Sequence, residues 1–341
     1  MELNGWIERS RTVDVEAFRD GDRLATGNYE VAAEPSSRAT VVGDASVRFE
    51  ETGAVIITVS HDGDEVSESV QVAVPPTIVY ELLRDGNRDI WKAALDGRDR
   101  ERLTSDPGDD RDPTLTGDDV VFVSFRAGNG DLYRVSLSGG TVSRLTQTPA
   151  DEGNPALSPA GDRLAFTADG TGVPKLWTAA ADGSGAARAS TESRFSGAVE
   201  SSPSWAPGDD ELVFMSTDAG SADLYAYREG TPGVEEVLVA GATAEVEPAW
   251  GPDGDRVVFA SQRDGATDLY LLDRATGSTT RLTDRADADG QPSWLSDGRI
   301  VFTAWVDGEP RLRWLDPDDP GLEAHEIDVG SGRPGHPAGG S

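Results

Sequence analysis

Residues 247–283 read EPAWGPDGDRVVFASQRDGATDLYLLDRATGSTTRLT. Four short apolar runs alternate with three turn signals. Pro248-Ala249-Trp250 runs into the Gly-Pro-Asp-Gly turn at 251–254. RVVFAS follows, then a loop at 262–267, then DLYLLD, the turn at 275–277, and TTRLT. Runs of this length, rich in Val, Phe, Tyr and Leu and bounded by Gly and Asp, are expected to be strands. Four consecutive antiparallel strands form a sheet too small to bury its own faces, so it requires neighbours of its own kind.

Those neighbours are present. Related units begin at DPTLTGDDVVFVS (112–124), NPALSPAGDRLAFTA (154–168), SPSWAPGDDELVFMS (202–216) and QPSWLSDGRIVFTA (291–304). Their marker prolines, Pro113, Pro155, Pro203, Pro248 and Pro292, lie 42, 48, 45 and 44 residues apart. Four strands per unit at a period of about 40–45 residues predicts propeller blades. One further period past Pro292 lands on Pro337, inside the tail GHPAGGS. At the other end, TIVYELLRDGNRDIWKAALDGRDRERLT (77–104) supplies the last three strands of a unit without the first. The economical reading makes the tail at 334–340 the inner strand of the first blade, which removes an open sheet edge. The expected fold is therefore all-β: a six-bladed propeller over 77–341, its first blade closed by the C-terminal strand.

Residues 1–76 follow another pattern. Alternating runs at 12–18, 28–33, 39–42, 46–49, 54–60 and 65–74 are separated by Gly, Asp and Pro-Ser signals and end at Pro75-Pro76. Six or seven strands in so short a stretch predict a small β-sandwich. The order of strand, turn, YEV, and a Gly before AVIITVS resembles bacterial immunoglobulin-like domains.

The repeat itself resembles the TolB-like propeller repeat, also called the WD-like repeat. The matching elements are Pro248-Ala249-Trp250, Asp253-Gly254, Val257–Ser261, Asp268-Leu269-Tyr270 and Arg281-Leu282-Thr283. The unit at 154–191 departs most, with Pro174-Lys175-Leu176-Trp177 in place of Asp-Leu-Tyr and Arg188-Ala189-Ser190 in place of Arg-Leu-Thr. The resemblance implies a six-bladed propeller, usually exported and used to bind other proteins or as an accessory domain, and it implies no reaction. The expected location is periplasmic, cell-surface or secreted in a bacterium, with any signal or anchor already removed.

Charge bounds the partners. Asp and Glu number 62 against 30 Lys and Arg, a net charge of −32, and the two lysines are Lys92 and Lys175. Such a field repels nucleic acid and anionic lipid, and its self-repulsion is relieved by salt. The net charge is read as salt adaptation. The Lys deficit fits equally a GC-rich genome. No apolar window long enough to span a membrane is present, and without Cys there is neither disulfide nor thiolate chemistry.

Most signature residues have structural work. Trp205, Trp250 and Trp294 share one blade position, where each is expected to wedge between sheets and bury on the order of 150–250 Å². Asp131, Asp223 and Asp268 open the Leu-Tyr strands and are expected to bond local backbone. The candidate binding residues stand just before the marker prolines: Asp112, Asn154, Ser202, Glu247, Gln291 and His336. Propeller geometry should set all six around one channel mouth, beside acidic entry loops such as SDPGDDRD (105–112) and DRADADGQ (284–291). That face is expected either to dock a partner loop, a peptide or a cation, or to be a water-lined rim.

Catalytic signals are weak. His61, His325 and His336 have no metal-ligand spacing, and there is no nucleophile elbow or phosphate loop. The run Asp284–Gly290 has some acids of a calcium loop but Ser296 at the closing position, so it reads as solvated acid with loosely bound calcium as the alternative. No cofactor is expected. The leading function is a monomeric, non-enzymatic protein- or peptide-binding scaffold. The alternative is a carbohydrate-active glycosidase or lyase using channel carboxylates, with or without a metal.

Overall fold

In the computed structural model, residues 76–339 are described except 171, 190–196, 209 and 229–234, as are the strand backbones within residues 1–75. Residues 192–196 of the segment expected to lead into the strand at 202, Ser190, and the last two residues of the tail lie outside the described residues. The chain divides into two compact units, Met1–Pro75 and Pro76–Ser341.

In the first unit, Glu30–Glu34, Gly53–His61 and Asp64–Ala73 form one antiparallel run, with Ile7–Glu8 added in parallel to the last. Thr12–Asp14, Ser46–Phe49 and Ala39–Val42 form a second sheet, and Phe18–Arg19 pairs with Asp22–Arg23.

The second unit is an all-β propeller of six four-stranded antiparallel sheets. Blades 2 to 6 take their innermost strands from Asp110–Thr116, Glu152–Leu157, Glu200–Trp205, Glu245–Trp250 and Ala288–Trp294. Blade 1 is ordered Glu101–Arg102, Asn87–Ala94, Thr77–Arg84, Arg333–Gly339, with Leu83 opposite Arg333 and Ile78 opposite Gly339.

The apolar runs explain this layering. In blade 5 the strand Arg256–Ser261 is buried on both faces. Val257 and Phe259 pack with Val213, Leu224 and Trp250, while Val258 and Ala260 pack with Ile300, Phe302 and Trp294. A strand sandwiched between two neighbouring sheets must be apolar at successive positions, which is why RVVFAS does not alternate. Burying each such Phe or Val contributes about 1.5–3 kcal/mol. The tryptophans fill the same interfaces: Trp205 is 5%, Trp250 8% and Trp294 7% exposed. Trp205 donates its indole N–H to Ala156 O at 3.1 Å and Trp294 to Ala249 O at 3.0 Å. The Trp250 indole N–H is buried without an acceptor among the described residues.

Each innermost strand breaks register once. Arg111 and Thr114 oppose Val123 and Val121, so Asp112-Pro113 together face Phe122. The same slip sets Asn154-Pro155, Ser202-Pro203, Glu247-Pro248 and Gln291-Pro292 across from Phe166, Phe214, Phe259 and Phe302. In blade 1, His336-Pro337 faces Tyr80. Two residues against one is a β-bulge. Proline is suited to it, having no N–H to offer a ladder. All six prolines and the six facing aromatic rings are buried.

Candidate channel site

The bulges shape the site. The residue before each marker proline has a left-handed backbone: φ is 49° at Asp112, 46° at Asn154, 53° at Ser202, 54° at Glu247, 54° at Gln291 and 42° at His336. This region is disfavoured for side chains larger than Asn or Asp. The same six residues and their prolines line one central cavity of about 540 Å³. Each of the six is half-buried.

Four of the six are stitched to one another. Glu247 Oε2 accepts the backbone N–H of Gln291 at 2.6 Å. Gln291 Oε1 in turn accepts the N–H of His336 at 3.0 Å. His336 Nδ1 stands 3.2 Å from Asp112 Oδ1. Asp112 gives its N–H to Glu81 Oε2 at 3.2 Å. Side-chain length decides the pattern: Glu and Gln reach the next blade's amide, whereas the shorter Asn154 and Ser202 bond only within their own blade, to Thr167 and Ser201. Burial raises the pKa of Glu81, against the lowering influence of His336 and Arg88.

The cavity changes character along its length. Its titratable lining residues are Asp112, Glu247 and His336, with no Lys or Arg among the described residues. Toward the other ends of the innermost strands, Leu115, Leu157, Trp205, Trp250 and Trp294 line it with prolines 159, 207 and 252 and the hydroxyls of Thr116, Ser204, Ser293 and Ser296.

A second set of acids escaped the sequence reading. Asp110, Glu152, Glu200, Glu245 and Asp289 begin the innermost strands and are at most 3% exposed. Each stands three residues before a marker proline, a spacing that was visible in the repeats. Their partners come from different places. Arg126 holds Asp110 at 3.0 and 3.2 Å, and Arg263 holds Glu245 at 2.8 Å. Glu152 relies on the Thr146 and Thr148 hydroxyls. Glu200 takes the Leu176 N–H at 2.8 Å and Lys175 Nζ at 3.6 Å, Lys175 having replaced the usual Asp of its strand. Both carboxylate oxygens of Asp289 lack a hydrogen-bond partner. Burial pushes its pKa up to about 6, offset only in part by Thr283 and, through space, by Arg285 and Arg313.

The strand-opening aspartates also differ from expectation. Asp131 and Asp268 pair with Arg144 at 2.7 Å and Arg281 at 2.6 Å, joining third strand to outer strand. Asp223 accepts from backbone as expected, from the Gly241 N–H at 3.1 Å. A neighbouring Arg in the Arg-Leu-Thr element supplies a stronger partner than a turn amide, and blade 4 has none.

The family model of the TolB beta propeller domain matches residues 75–225 and 202–324. The chain belongs to the TolB beta propeller domain family. Among solved structures, TolB from Acinetobacter baumannii superimposes with a TM-score of 0.71 at 18% identity, over 92% of this chain and 83% of that one. The putative TolB from Agrobacterium tumefaciens gives 0.59 at 19%, over 75% and 90%. A puromycin-hydrolyzing peptidase from Mycobacterium tuberculosis gives 0.53 at 17%, over 85% of this chain but only 52% of the peptidase. No curated protein matches the chain significantly. At these identities the TolB likeness concerns the fold. Among the described residues no group of His, Cys, Asp and Glu is placed to hold a metal, and no helix is long and apolar enough to cross a membrane.

Proposed function

We propose that this TolB-family propeller is an exported, non-enzymatic scaffold that docks a protein or peptide at the acidic channel mouth. The observation that carries the reading is the convergence of Asp112, Asn154, Ser202, Glu247, Gln291 and His336 on one cavity of about 540 Å³. A pocket of that size with few placed polar groups suits a peptide loop. At each of these positions the chain accepts a left-handed backbone without using glycine. The side chains must therefore serve some purpose that glycine would not.

The same reading takes the N-terminal unit as an immunoglobulin-like sandwich acting as a spacer, and the strand Arg333–Gly339 as the closure of the ring. It places the protein outside the cytoplasm, as a monomer without nucleic acid or membrane insertion. The net charge of −32 is in keeping with a salt-adapted surface. The carbohydrate-enzyme alternative gains no support, since Asp112 is turned to His336 and Glu247 gives Oε2 to the Gln291 N–H, leaving only Oε1 for another group.

The test is affinity capture from native cell extract by the wild type and by an Asp112→Arg/Glu247→Arg variant, both checked by thermal melting. Loss of the captured partner in the folded variant is the expected result. Equal capture by both proteins places docking elsewhere.

A further inference from the structure

Blade 2 contains a small recognition unit built entirely from its own residues. Phe125 is 37% exposed and carries the Arg111 guanidinium 5.2 Å from its ring centre. The same guanidinium bonds the Asp109 carboxylate at 2.5 Å. A flat cation held between an aromatic face and a carboxylate is a favourable arrangement for arginine.

Blade 6 has the same frame with one member changed. Arg111 pairs with Val123, two residues before Phe125, and Gly290 pairs with Thr303, two residues before Trp305. Trp305 therefore stands where Phe125 stands, and Gly290 where Arg111 stands. The carboxylate is also present, now supplied by Glu247 of blade 5. A Cβ on Gly290 would lie 3.0 Å from Glu247 Oε2 and 3.4 Å from Trp305 Cζ3, so one edge of the indole and the carboxylate meet over the glycine. Trp305 is half-buried, and among the described residues no guanidinium lies over it. The Trp is also held firmly. Trp305 pairs with Ala288 on one side and Pro310 on the other, in a ladder that runs to the tight turn Asp307-Gly308. Rigid aromatic anchors of this kind lose little freedom on binding.

We infer that Trp305 and Glu247 bind an arginine side chain contributed by the docked partner, the guanidinium stacking on the indole and bonding the carboxylate as Arg111 does in blade 2. This inference rests on the docking reading above and names the partner's chemistry: a peptide segment carrying an exposed arginine. Glu247 belongs to the channel lining, which holds no Lys or Arg among the described residues, as suits a cationic visitor.

The experiment uses the full chain and three fluorescein-labelled pentapeptides, Gly-Ser-Xaa-Ser-Gly with Xaa arginine, lysine or citrulline, at physiological salt. The arginine form is expected to bind most tightly. Trp305→Ala and Glu247→Gln are each expected to weaken it about tenfold, Trp305→Phe less, since the ring remains. Asp182→Asn, a charge removed from an exposed turn between the third and outer strands of blade 3, is expected to leave binding unchanged. Arginine and citrulline forms binding alike, both weakened by Glu247→Gln, overturns the guanidinium while keeping the docking mouth. Binding that no mouth substitution alters overturns both readings. No binding of the arginine form at millimolar concentration overturns the arginine site alone, leaving the extract capture to judge the mouth.

Discussion

Asp289 shows how much a single residue's surroundings matter. Its counterparts Asp110 and Glu245 each face an arginine two residues past the end of the second strand, Arg126 and Arg263. In blade 6 that place is taken by Val306, because the strand continues as ladder there. Asp289 is left fully buried with no hydrogen-bond partner, and its pKa is pushed up to about 6. A carboxyl whose folded pKa exceeds its unfolded one binds more protons when folded, so stability falls as pH rises from about 4 to 6 and stays lower above that range. Asp289→Asn should therefore raise stability at pH 7 by on the order of 1–3 kcal/mol and flatten the pH dependence in that window. Urea denaturation at pH 4.5 and pH 7 checks both. A variant no more stable at pH 7 than the wild type would show that the carboxylate is relieved in some other way. Tyr80 offers a simpler case. It occupies the place of Phe122 and its equivalents, but its hydroxyl is buried without a partner, and burial pushes its pKa up to about 12. Tyr80→Phe should be stabilising by about 1 kcal/mol, measured by the shift in the urea midpoint. The three tryptophans divide likewise. Trp250→Ala should cost about 3–5 kcal/mol through the cavity left behind. Trp294→Phe should cost about 1 kcal/mol more than Trp250→Phe, because only Trp294 gives up an indole hydrogen bond. Parallel denaturation curves of the two Phe variants decide this.

At the scale of elements, the innermost strand of blade 1 is the one contributed from a distant part of the chain. It pairs with Thr77–Arg84 through residues 333–339 and reaches both neighbours, with its His336 amide on Gln291 and its imidazole beside Asp112. A chain ending at Gly332 would expose the buried edge of Ile78–Leu82, which invites association. Size-exclusion chromatography of that truncation should show larger species than the full chain, and a synthetic peptide of residues 331–341 should restore the full chain's elution. A truncated protein that elutes like the full chain with an unchanged melt would mean the strand adds little. The placement of these elements was legible because periodicity and turn chemistry are local. Pro113 to Pro292 gave the period, and Asp253-Gly254 and the RVVFAS runs gave the strands. That these six residues line one cavity was legible for the same reason, each standing one place before a marker proline. The stitching was not legible, because it depends on reach between blades: Glu247 to Gln291 spans 44 residues of chain. Nor was Trp305, whose meaning comes from comparing Gly290 with Arg111 across two blades and needs the strand register. The buried acids could have been read, since an acid stands three residues before five of the six prolines, Pro337 being the exception with Pro334 at that place.

For the molecule as a whole, the charge of −32 dominates. Many of the acids pair with arginines at the surface, as in Arg256 with Asp253 and Asp318, or Arg274 with Glu236. Exposed pairs of this kind contribute little individually, and the surplus of negative charge repels itself through solvent. Raising salt from about 0.05 to 1 M shortens the screening length from over 10 Å to about 3 Å. The melting temperature should rise across that series, with most of the gain at the low-salt end. A melting temperature that is flat or falling with sodium chloride would argue that the acids are already balanced. The bulges offer a different lesson. Although the backbone turns the same way at all six of these places and is backed each time by a buried ring and a proline, only the letters at Asn154 and Ser202 stand clear of the seams between blades. Those two can be rewritten by mutation or by design while the wheel beneath keeps its shape, whereas the other four also fasten one spoke to the next.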